Sequence, residues 1–237
     1  MTLKDIIQKS DNIVFFGGAG VSTESGIPDF RSETGIYNTI KRYKRSPEEI
    51  LSHSFFMAHP DIFYDFYKST MLYLDAKPNA AHLALAKLEA MGKLKAVVTQ
   101  NIDGLHQAAG SKKVLELHGS VLRNYCERCG KFYDAQFILD SEGVPACECG
   151  GPIKPDVVLY EEGLDNQIMT ESIQCIRNAD MLIIGGTSLA VYPAAGLIDY
   201  YRGNKLVLIN KTPTPRDSMA DLVVSGSIGE LFSQIRV

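Results

Sequence analysis

The sequence predicts an α/β protein whose main domain is a doubly wound parallel sheet, accompanied by a small second module. Short apolar runs rich in Val, Ile and Leu recur between helical stretches without polar alternation, which is typical of parallel strands buried on both faces. Two of these runs end in glycine-rich turns, at residues 17–20 and 185–188. A block with four cysteines, residues 126–151, has little apolar periodicity and therefore indicates a separate unit.

The first elements are a helix, a buried strand and a glycine turn. Residues 2–10 predict a short helix, whose first turn Thr2 and Asp5 can cap. Residues 12–16 predict a buried strand that leads directly into the sequence GGAG. Glycines at this point let the backbone approach a phosphate group closely and direct N–H groups at its oxygens, so the turn predicts a nucleotide site.

Residues 37–91 are predicted to be mainly helical, because signals for helix starts recur in them. The motif SPEE at 46–49 supplies an N-cap serine, a proline at the first helical position and a capping-box acid. Pro60 and the pair Pro78–Asn79 are predicted to begin two further helices.

Strands and helices alternate through the rest of the chain outside the cysteine block. A second turn, GGTS, follows the strand that ends at Ile184, and two such turns at the carboxyl ends of parallel strands suit a nucleotide that lies across the sheet. The predicted strands are 94–99, 181–184, 205–209 and 221–224, and the predicted helices lie near 166–177, 193–202 and 227–235.

The cysteine block predicts a structural zinc site. Cys126 and Cys129 form a C-x-x-C pair, and Cys147 and Cys149 form a tighter C-x-C pair. Four thiolates satisfy the tetrahedral preference of zinc and leave no open position for a substrate. The alternative is a reduced loop without metal. Cys175, alone on a helix, is interpreted as an apolar filling residue.

Charge and composition favour a globular protein of the cytoplasm. The formal net charge of −4 over 237 residues gives no general field that would attract nucleic acid or an anionic membrane. The N-terminal apolar run, residues 13–16, is far too short to span a bilayer and lacks the features of a signal peptide. We therefore expect a cytoplasmic monomer that binds neither membranes nor nucleic acid directly.

Seven segments together resemble the sirtuins, the NAD-dependent protein deacylases. They are GAGVSTESGIPDFR, TQNIDGLH, LHGS, the cysteine block, KPDVVLYEE, GTSLAVYPA and LVLIN. They occur in the family's order and spacing, and the resemblance extends over nearly the whole chain. The compact length is similar to that of bacterial members. The resemblance implies a Rossmann-like NAD-binding domain made of residues 1–35, 79–122 and 152–237. The small module then combines a helical part, 36–78, with a zinc ribbon, 123–151.

The resemblance also implies the reaction. A sirtuin cleaves nicotinamide from NAD and transfers the acetyl group of acetyl-lysine to ADP-ribose. The products are free lysine, nicotinamide and O-acetyl-ADP-ribose. Removal of longer acyl chains, or ADP-ribosyl transfer to proteins, remains an alternative. The expected partners are acyl-lysine proteins or peptides, with NAD as co-substrate and zinc as a structural metal.

Matching positions imply the catalytic and NAD-binding residues. His118 matches the catalytic base, and a neutral imidazole can accept a proton at cellular pH. Asn101 and Asp103 match the pocket for the nicotinamide end, where a carboxylate accepts from an amide N–H group. The stretch after the first glycines matches a mobile loop that orders over NAD. The full expected NAD set is Gly18, Ala19, Gly20, Thr23, Asp29, Phe30, Arg31, Gln100, Asn101, Ile102, Asp103, Gly186, Thr187, Ser188, Asn210 and Ile228.

The resemblance further implies that the peptide adds as an extended strand, which takes its affinity from main-chain hydrogen bonds. The family more often reads VVFFGE where this chain has VVLYEE. In members that remove succinyl groups, a Tyr-x-x-Arg pair meets the acyl carboxylate. Here Tyr64 is followed by Tyr67, so acetyl and other neutral acyl groups are expected. The expected substrate-binding residues are His118, Val157, Val158, Leu159, Tyr160 and Val191.

Two other classes of protein share parts of this pattern. A redox dehydrogenase would have the strands and glycines, but it needs an acid about 20 residues after the glycines, where this chain has a polar loop. A nucleic-acid-binding zinc module would need basic residues between the cysteine pairs. The acids there outnumber Lys131, so both interpretations are less favoured.

Overall fold

A computed structural model describes residues 2–29 and 33–234. Helix α1 is Leu3–Gln8, and its predicted cap is confirmed because Thr2 and Asp5 exchange hydrogen bonds between side chain and backbone. Strand β1, Ile13–Gly17, is buried along its whole length. Two short 3₁₀ turns, Ala19–Val21 and Thr23–Ser25, follow it.

The next segment is helical, as predicted. The side chain of Ser46 caps α3 by accepting from the backbone N–H of Glu49. In a capping box the Glu49 carboxylate would accept from the backbone N–H of Ser46 in return, but here it accepts from the side chain of Arg45. Asn79 caps α6 and exchanges hydrogen bonds with Ala81 and His82. The helices are α2 (Glu33–Tyr43), α3 (Pro47–Ile50), α4 (His53–Ala58), α5 (Pro60–Thr70) and α6 (Ala80–Ala90).

The remaining elements include several that the apolar pattern did not predict. The middle strands are short or alternate between buried and exposed residues, and the predicted helix near 193–202 is a 3₁₀ helix, Ala194–Tyr200. The elements are β2 (Leu94–Thr99), α7 (Leu105–Ala108), β3 (Val114–Glu116), β4 (Gly119–Cys126), β5 (Phe132–Asp134), α8 (Ala135–Asp140), β6 (Ile153–Val157), α9 (Asn166–Asn178), β7 (Met181–Gly185), β8 (Leu206–Asn210), β9 (Leu222–Ser225) and α10 (Ile228–Gln234).

The described residues form a six-stranded sheet in the order β3-β2-β1-β7-β8-β9, with every neighbouring pair parallel. Apolar cores cover both faces of this sheet, which confirms the predicted doubly wound, Rossmann-like architecture. The strand order reverses between β1 and β7. Ligands of such sheets bind outside the carboxyl ends of the strands at this reversal.

A second sheet, β5-β4-β6, is antiparallel, and it joins strand β5 of the expected zinc ribbon to β6, which lies within residues expected to belong to the NAD-binding domain. A third core joins this sheet to the helical segment, because Tyr64 and Tyr67 of α5 pack with Cys126 and Cys147. The phenol of Tyr67 is fully buried there, and burial raises its pKa well above the usual value. Tyr67 therefore does not present its side chain to an acyl group.

Candidate active site

A cleft of about 500 Å³ lies at the carboxyl ends of β1, β2 and β7, where the strand order reverses. Its walls come from both glycine turns, the loop after β2, the segment after β6 and the end of α5. Asp29 and Val191 line it, as expected. Phe30 and Arg31, which belong to the expected NAD set, lie outside the described residues.

The two glycine turns contact each other through their backbones. The N–H of Gly20 donates to the carbonyl of Gly186 at 2.8 Å, and a Cβ on Gly20 would lie 2.7 Å from the Cα of Gly186. A Cβ on Gly18 would lie 2.8 Å from that of Thr187. No larger residue fits at these points without moving a turn, so the floor of the cleft is backbone. Such a floor can hold a pyrophosphate closely.

Asn210 fixes the second turn from the end of β8. Its Oδ1 accepts from the N–H of Thr187 at 3.0 Å, and its Nδ2 donates to the Thr187 carbonyl. Gln100 donates from Nε2 to the Thr187 hydroxyl at 3.1 Å. Four described residues of the expected NAD set do not line the cleft, namely Gly20, Thr23, Asn210 and Ile228. Ile228 is only 3% exposed, and it lies in the core under Gly185.

A chain of polar side chains links the first glycine turn to the loop after β2. Asn101 donates from Nδ2 to the Ser22 hydroxyl at 3.0 Å, and that hydroxyl donates to Oδ2 of Asp103 at 2.6 Å. The other oxygen of Asp103 accepts from the N–H of Leu105 at 2.9 Å. Ser22 was not among the expected site residues, although it lies inside the GAGVSTES motif. Ser22 is far from Asn101 and Asp103 in the sequence, and only the folded chain brings the three side chains into contact.

His118 lies between β3 and β4 and lines the cleft. Its Nδ1 is 3.0 Å from the carbonyl oxygen of Gln100. A carbonyl oxygen can only accept, so in the neutral ring Nδ1 carries the proton and Nε2 is the basic nitrogen. Gly119 follows with a φ of +73°, and a Cβ there would lie 1.9 Å from the carbonyl oxygen of Asp156. The turn after His118 therefore requires glycine.

The segment after β6 is held by backbone hydrogen bonds from two sides. The N–H of Val158 donates to the carbonyl of His118 at 3.0 Å. On the other side, Tyr160 donates to the Leu51 carbonyl and accepts from the N–H of His53, both at 3.0 Å. The segment thus runs as an extended chain between β4 and the helical part.

Two glutamates end this segment. The Glu161 carboxylate accepts from the N–H and the hydroxyl of Ser54 at 2.8 and 2.9 Å, and these bonds lower its pKa. Glu161 has a φ of +78°, unusual for a residue with a side chain. Burial alone would raise the pKa of Glu162, but hydrogen bonds from Leu159, His53 and Lys154 lower it. Both carboxylates are therefore engaged within the protein.

Apolar side chains of the helical part complete the cleft, and the sequence did not single them out. Among the described residues that line it, none is a lysine or an arginine. The apolar wall is formed by Leu51, Met71, Tyr73 and Leu74 of the helical part, together with Ile27 and Pro28 from the loop after the first glycine turn.

The four cysteines of the ribbon come together as expected. Their sulfur atoms all lie within 4.8 Å of one another, with Cys126 to Cys149 at 3.5 Å and Cys129 to Cys147 at 3.6 Å. Tetrahedral zinc with bonds of about 2.3 Å needs sulfur atoms about 3.8 Å apart. The donor set therefore fits zinc.

The ionisation of this cluster also favours a cation. A hydrogen bond from the hydroxyl of Tyr133 lowers the pKa of Cys147 to about 6. The N–H of Gly151 favours the thiolate of Cys149, but the neighbouring sulfurs of Cys147 and Cys126 raise its pKa to about 12. The Cys147 thiolate therefore forms readily, whereas a positive ion beside the cluster would favour the thiolate of Cys149.

Comparisons with known proteins agree with this arrangement. A model of the Sir2 family matches residues 18–193. The chain is 64% identical over 235 residues to an NAD-dependent protein deacetylase of Clostridium perfringens, covering 98% of this chain and 96% of that protein. It is 51% identical over 230 residues to one of Cutibacterium acnes, covering 97% and 94%.

Solved structures give the same result. A protein from a study of sirtuin substrate affinity superposes with a TM-score of 0.90 at 43% identity, covering 100% of this chain and 98% of its own. A Sir2 protein with a p53 peptide and NAD⁺ reaches 0.88 at 41%, covering 99% and 97%. A Sir2 protein with a deacetylated p53 peptide and 3'-O-acetyl-ADP-ribose reaches 0.89 at 43%, covering 98% and 95%.

Proposed function

The chain belongs to the Sir2 family and is a sirtuin-type NAD-dependent protein deacetylase, and from this premise we propose how its residues carry out the reaction. The enzyme transfers the acetyl group of acetyl-lysine to ADP-ribose and releases nicotinamide. NAD supplies a ribose carbon that becomes electrophilic as nicotinamide leaves. The rest of the chemistry depends on how this chain binds, orients and moves protons.

We assign NAD binding to the domain made of residues 1–35, 79–122 and 152–237. The small module combines 36–78 with the zinc ribbon, 123–151, and the apolar core that joins these two parts supports the grouping. The cleft between domain and module then receives both substrates.

The contact between the glycine turns supports a role for their backbone in binding the pyrophosphate. Asn101 and Asp103 then hold the nicotinamide end, and their shared bond to Ser22 orients both. The carboxylate of Asp103 accepts from the carboxamide N–H, which an amide keeps throughout the reaction. Asn210 acts through the Thr187 turn, and Ile228 shapes the floor beneath Gly185. For the other residues of the expected NAD set, we propose that they contact NAD as the resemblance to sirtuins implies.

His118 is the proposed general base. The hydrogen bond between its Nδ1 and the Gln100 carbonyl is the observation that carries the assignment, since it leaves the other ring nitrogen basic inside the cleft. That nitrogen can take the proton of a ribose hydroxyl. The hydroxyl oxygen can then bond to the carbon that came from the acetyl group; after water adds, the bond from this carbon to the lysine nitrogen breaks, which gives free lysine and O-acetyl-ADP-ribose.

The peptide is proposed to bind along Val157, Val158, Leu159 and Tyr160, with Val191 on the opposite side. The extended course of this segment supports pairing through main-chain hydrogen bonds. The absence of lysine and arginine from the described lining supports a preference for acetyl and other neutral acyl groups over succinyl.

We further propose a cytoplasmic monomer that does not bind nucleic acid directly. The net charge of −4 and the metal-type cysteine pairs support this view. Among the described helices, none has the length and apolar character to cross a membrane.

Mass spectrometry of peptide substrates tests the proposed roles. The purified protein is incubated with an acetyl-lysine or a succinyl-lysine peptide, with and without NAD. We expect loss of the acetyl group only with NAD, in step with nicotinamide and acetyl-ADP-ribose, while the succinyl peptide reacts far more slowly. His118→Ala should lower kcat by about 10²- to 10⁴-fold, the usual contribution of a general base.

Other outcomes would redirect the assignment. Unchanged turnover in the His118→Ala variant would remove the general-base role. Equal rates on both peptides would contradict the proposed acyl preference. If NAD were consumed and ADP-ribose appeared on the peptide, ADP-ribosyl transfer would be the better description; if only a longer acyl chain were removed, the acyl preference would need revision.

A further inference from the structure

The pairing between β4 and β6 is interrupted close to the catalytic histidine. Gly119 pairs with Val157 and Ser120 with Asp156, but the next pair joins Asn124 to Pro155. Three residues of β4, 121–123, therefore lie between successive pairs. Two of them, Val121 and Leu122, line the cleft. On the histidine side of this interruption, the two pairs at Gly119 and Ser120 and the hydrogen bond from Val158 to the His118 carbonyl connect the peptide-binding segment to the turn that carries the histidine.

The third residue of the interruption, Arg123, reaches across it. Its Nε donates to Oδ2 of Asp156 at 2.7 Å, and its Nη1 donates to Oε2 of Glu116 at 2.9 Å. Asp156 directly precedes Val157, the first residue of the peptide-binding segment. Glu116 ends β3, two residues before His118. The Arg123 guanidinium thus connects β3, which precedes His118, to β6, which precedes the peptide-binding segment.

A further contact anchors this arrangement to the large domain. Gln107 of α7 donates from Nε2 to the second carboxylate oxygen of Glu116 at 2.8 Å. Glu116 is mostly buried, with 10% of its side chain exposed, whereas Arg123 and Asp156 are 38% and 42% exposed. Half-exposed ion pairs contribute little to global stability. The bonds act instead on the relative position of two short segments.

We propose that Arg123 is a positioning residue for deacetylation, which holds the peptide-binding segment in register with His118. The inference rests on the proposed role of Val157–Tyr160 in binding the peptide. The planar guanidinium suits this task because it can bond two carboxylates at fixed angles, which lysine cannot do. Without it, the interrupted part of the β4–β6 pairing loosens, while the NAD site and the zinc site keep their own contacts.

The test compares Arg123→Met with Lys113→Met, which removes a half-exposed ion pair to Glu171 away from the cleft. We expect Arg123→Met to raise KM for an acetyl-lysine peptide about fivefold, with kcat and the KM for NAD changed less than about twofold. Bound zinc and the melting temperature should equal those of the wild type. Lys113→Met should leave every parameter unchanged.

A double-mutant cycle identifies the partner. Asp156→Asn should raise the peptide KM similarly, and the double variant should be no worse than either single variant, because both remove the same bond. Arg123→Lys should restore little of the loss. Additive effects, an unchanged peptide KM, or a KM that rises only together with loss of zinc or stability would overturn the proposal.

Peptides methylated at backbone nitrogens around the acetyl-lysine separate the two inferences. If the wild type responds to methylation but Arg123→Met keeps the wild-type KM, the positioning role alone fails. If methylation has no effect at any position, strand-like binding to the segment fails and the positioning role fails with it.

Discussion

Ser22 shows how much one hydroxyl contributes to the nicotinamide end of the cleft. It is 1% exposed, and it accepts from Asn101 while it donates to Asp103. A hydroxyl can do both at once, whereas a methyl group can do neither. Its removal leaves a buried amide and a carboxylate without their shared partner.

We expect Ser22→Ala to lower kcat by about 10- to 100-fold, because a buried bond to a charged group contributes about 1.5–3 kcal/mol. Steady-state kinetics with an acetyl-lysine peptide measures the loss. Ser233→Ala is the matched control, since that hydroxyl donates to the Glu230 carbonyl within its own helix, away from the cleft. Equal activity of the two variants would show that Ser22 has no part in orienting the pocket.

A pair of buried histidines, His82 and His106, makes the stability of the fold depend on pH. Their ring centroids are 4.7 Å apart, and both nitrogens of His106 are buried without a hydrogen-bond partner among the described residues. Burial, together with the charge of His82, lowers the pKa of His106 to about 3. In the unfolded chain the pKa of a histidine is about 6.5.

The sign of the pH effect follows from these two values. Between about pH 6.5 and about 3, His106 binds a proton in the unfolded chain but not in the folded protein, so its contribution to the free energy of unfolding falls by about 1.4 kcal/mol per pH unit as pH decreases. Urea unfolding at pH 7, 6 and 5 measures this slope. His106→Leu should have a smaller slope by about one proton, and identical slopes would contradict the burial of a neutral ring.

The stability of the zinc ribbon depends on a bound metal ion. Cys126 and Cys147 belong both to the sulfur cluster and to the core shared with the aromatic residues of α5. Loss of the metal therefore affects packing in the helical part as well as in the ribbon. Structural zinc contributes directly to folding free energy.

We expect Cys147→Ser to lose bound zinc and to unfold at a lower temperature than the wild type. Elemental analysis and thermal unfolding measure the two effects. Cys175→Ser is the control, because that cysteine lies on α9 outside the cluster. Full zinc content in Cys147→Ser would disprove the four-sulfur site.

At the scale of the whole molecule, the cleft depends on segments far apart in the chain. The first glycine turn, the loop after β2, the segment after β6 and the second glycine turn meet at the reversal of the strand order. The 3₁₀ turn Thr23–Ser25, which follows the first glycine turn, also contacts α10, because Glu24 accepts from the N–H of Gly229 at 2.6 Å. A ligand in the cleft bridges all of these segments at once.

We therefore expect NAD to slow amide hydrogen exchange in residues 17–29 and 185–189, with little change in the strands of the ribbon. Exchange mass spectrometry with and without NAD measures this difference. The resemblance to sirtuins predicts the largest change in the loop that follows the first glycines. Equal protection in both conditions would contradict the proposed ordering of this loop over NAD.

Much of the fold was predictable because its signals are local. Buried strands such as β1 and β7 consist of continuous apolar residues, and helix caps such as Thr2 and Asn79 act within one turn. Strands β3 to β6 escaped prediction because they are short or only partly buried. Their stability comes from pairing with distant segments, which apolar periodicity does not report.

Local sequence patterns specify the alternation of buried strands and helices, the two glycine turns and the spacing of the four zinc-type cysteines, because each depends on neighbouring residues. Three features follow from the packing of the chain instead: Ser22 joins Asn101 to Asp103, Tyr67 is buried away from the cleft, and Arg123 links Glu116 to Asp156. These contacts join residues from separate elements. Their distances follow from how the sheets and helices pack, and no local pattern encodes that packing.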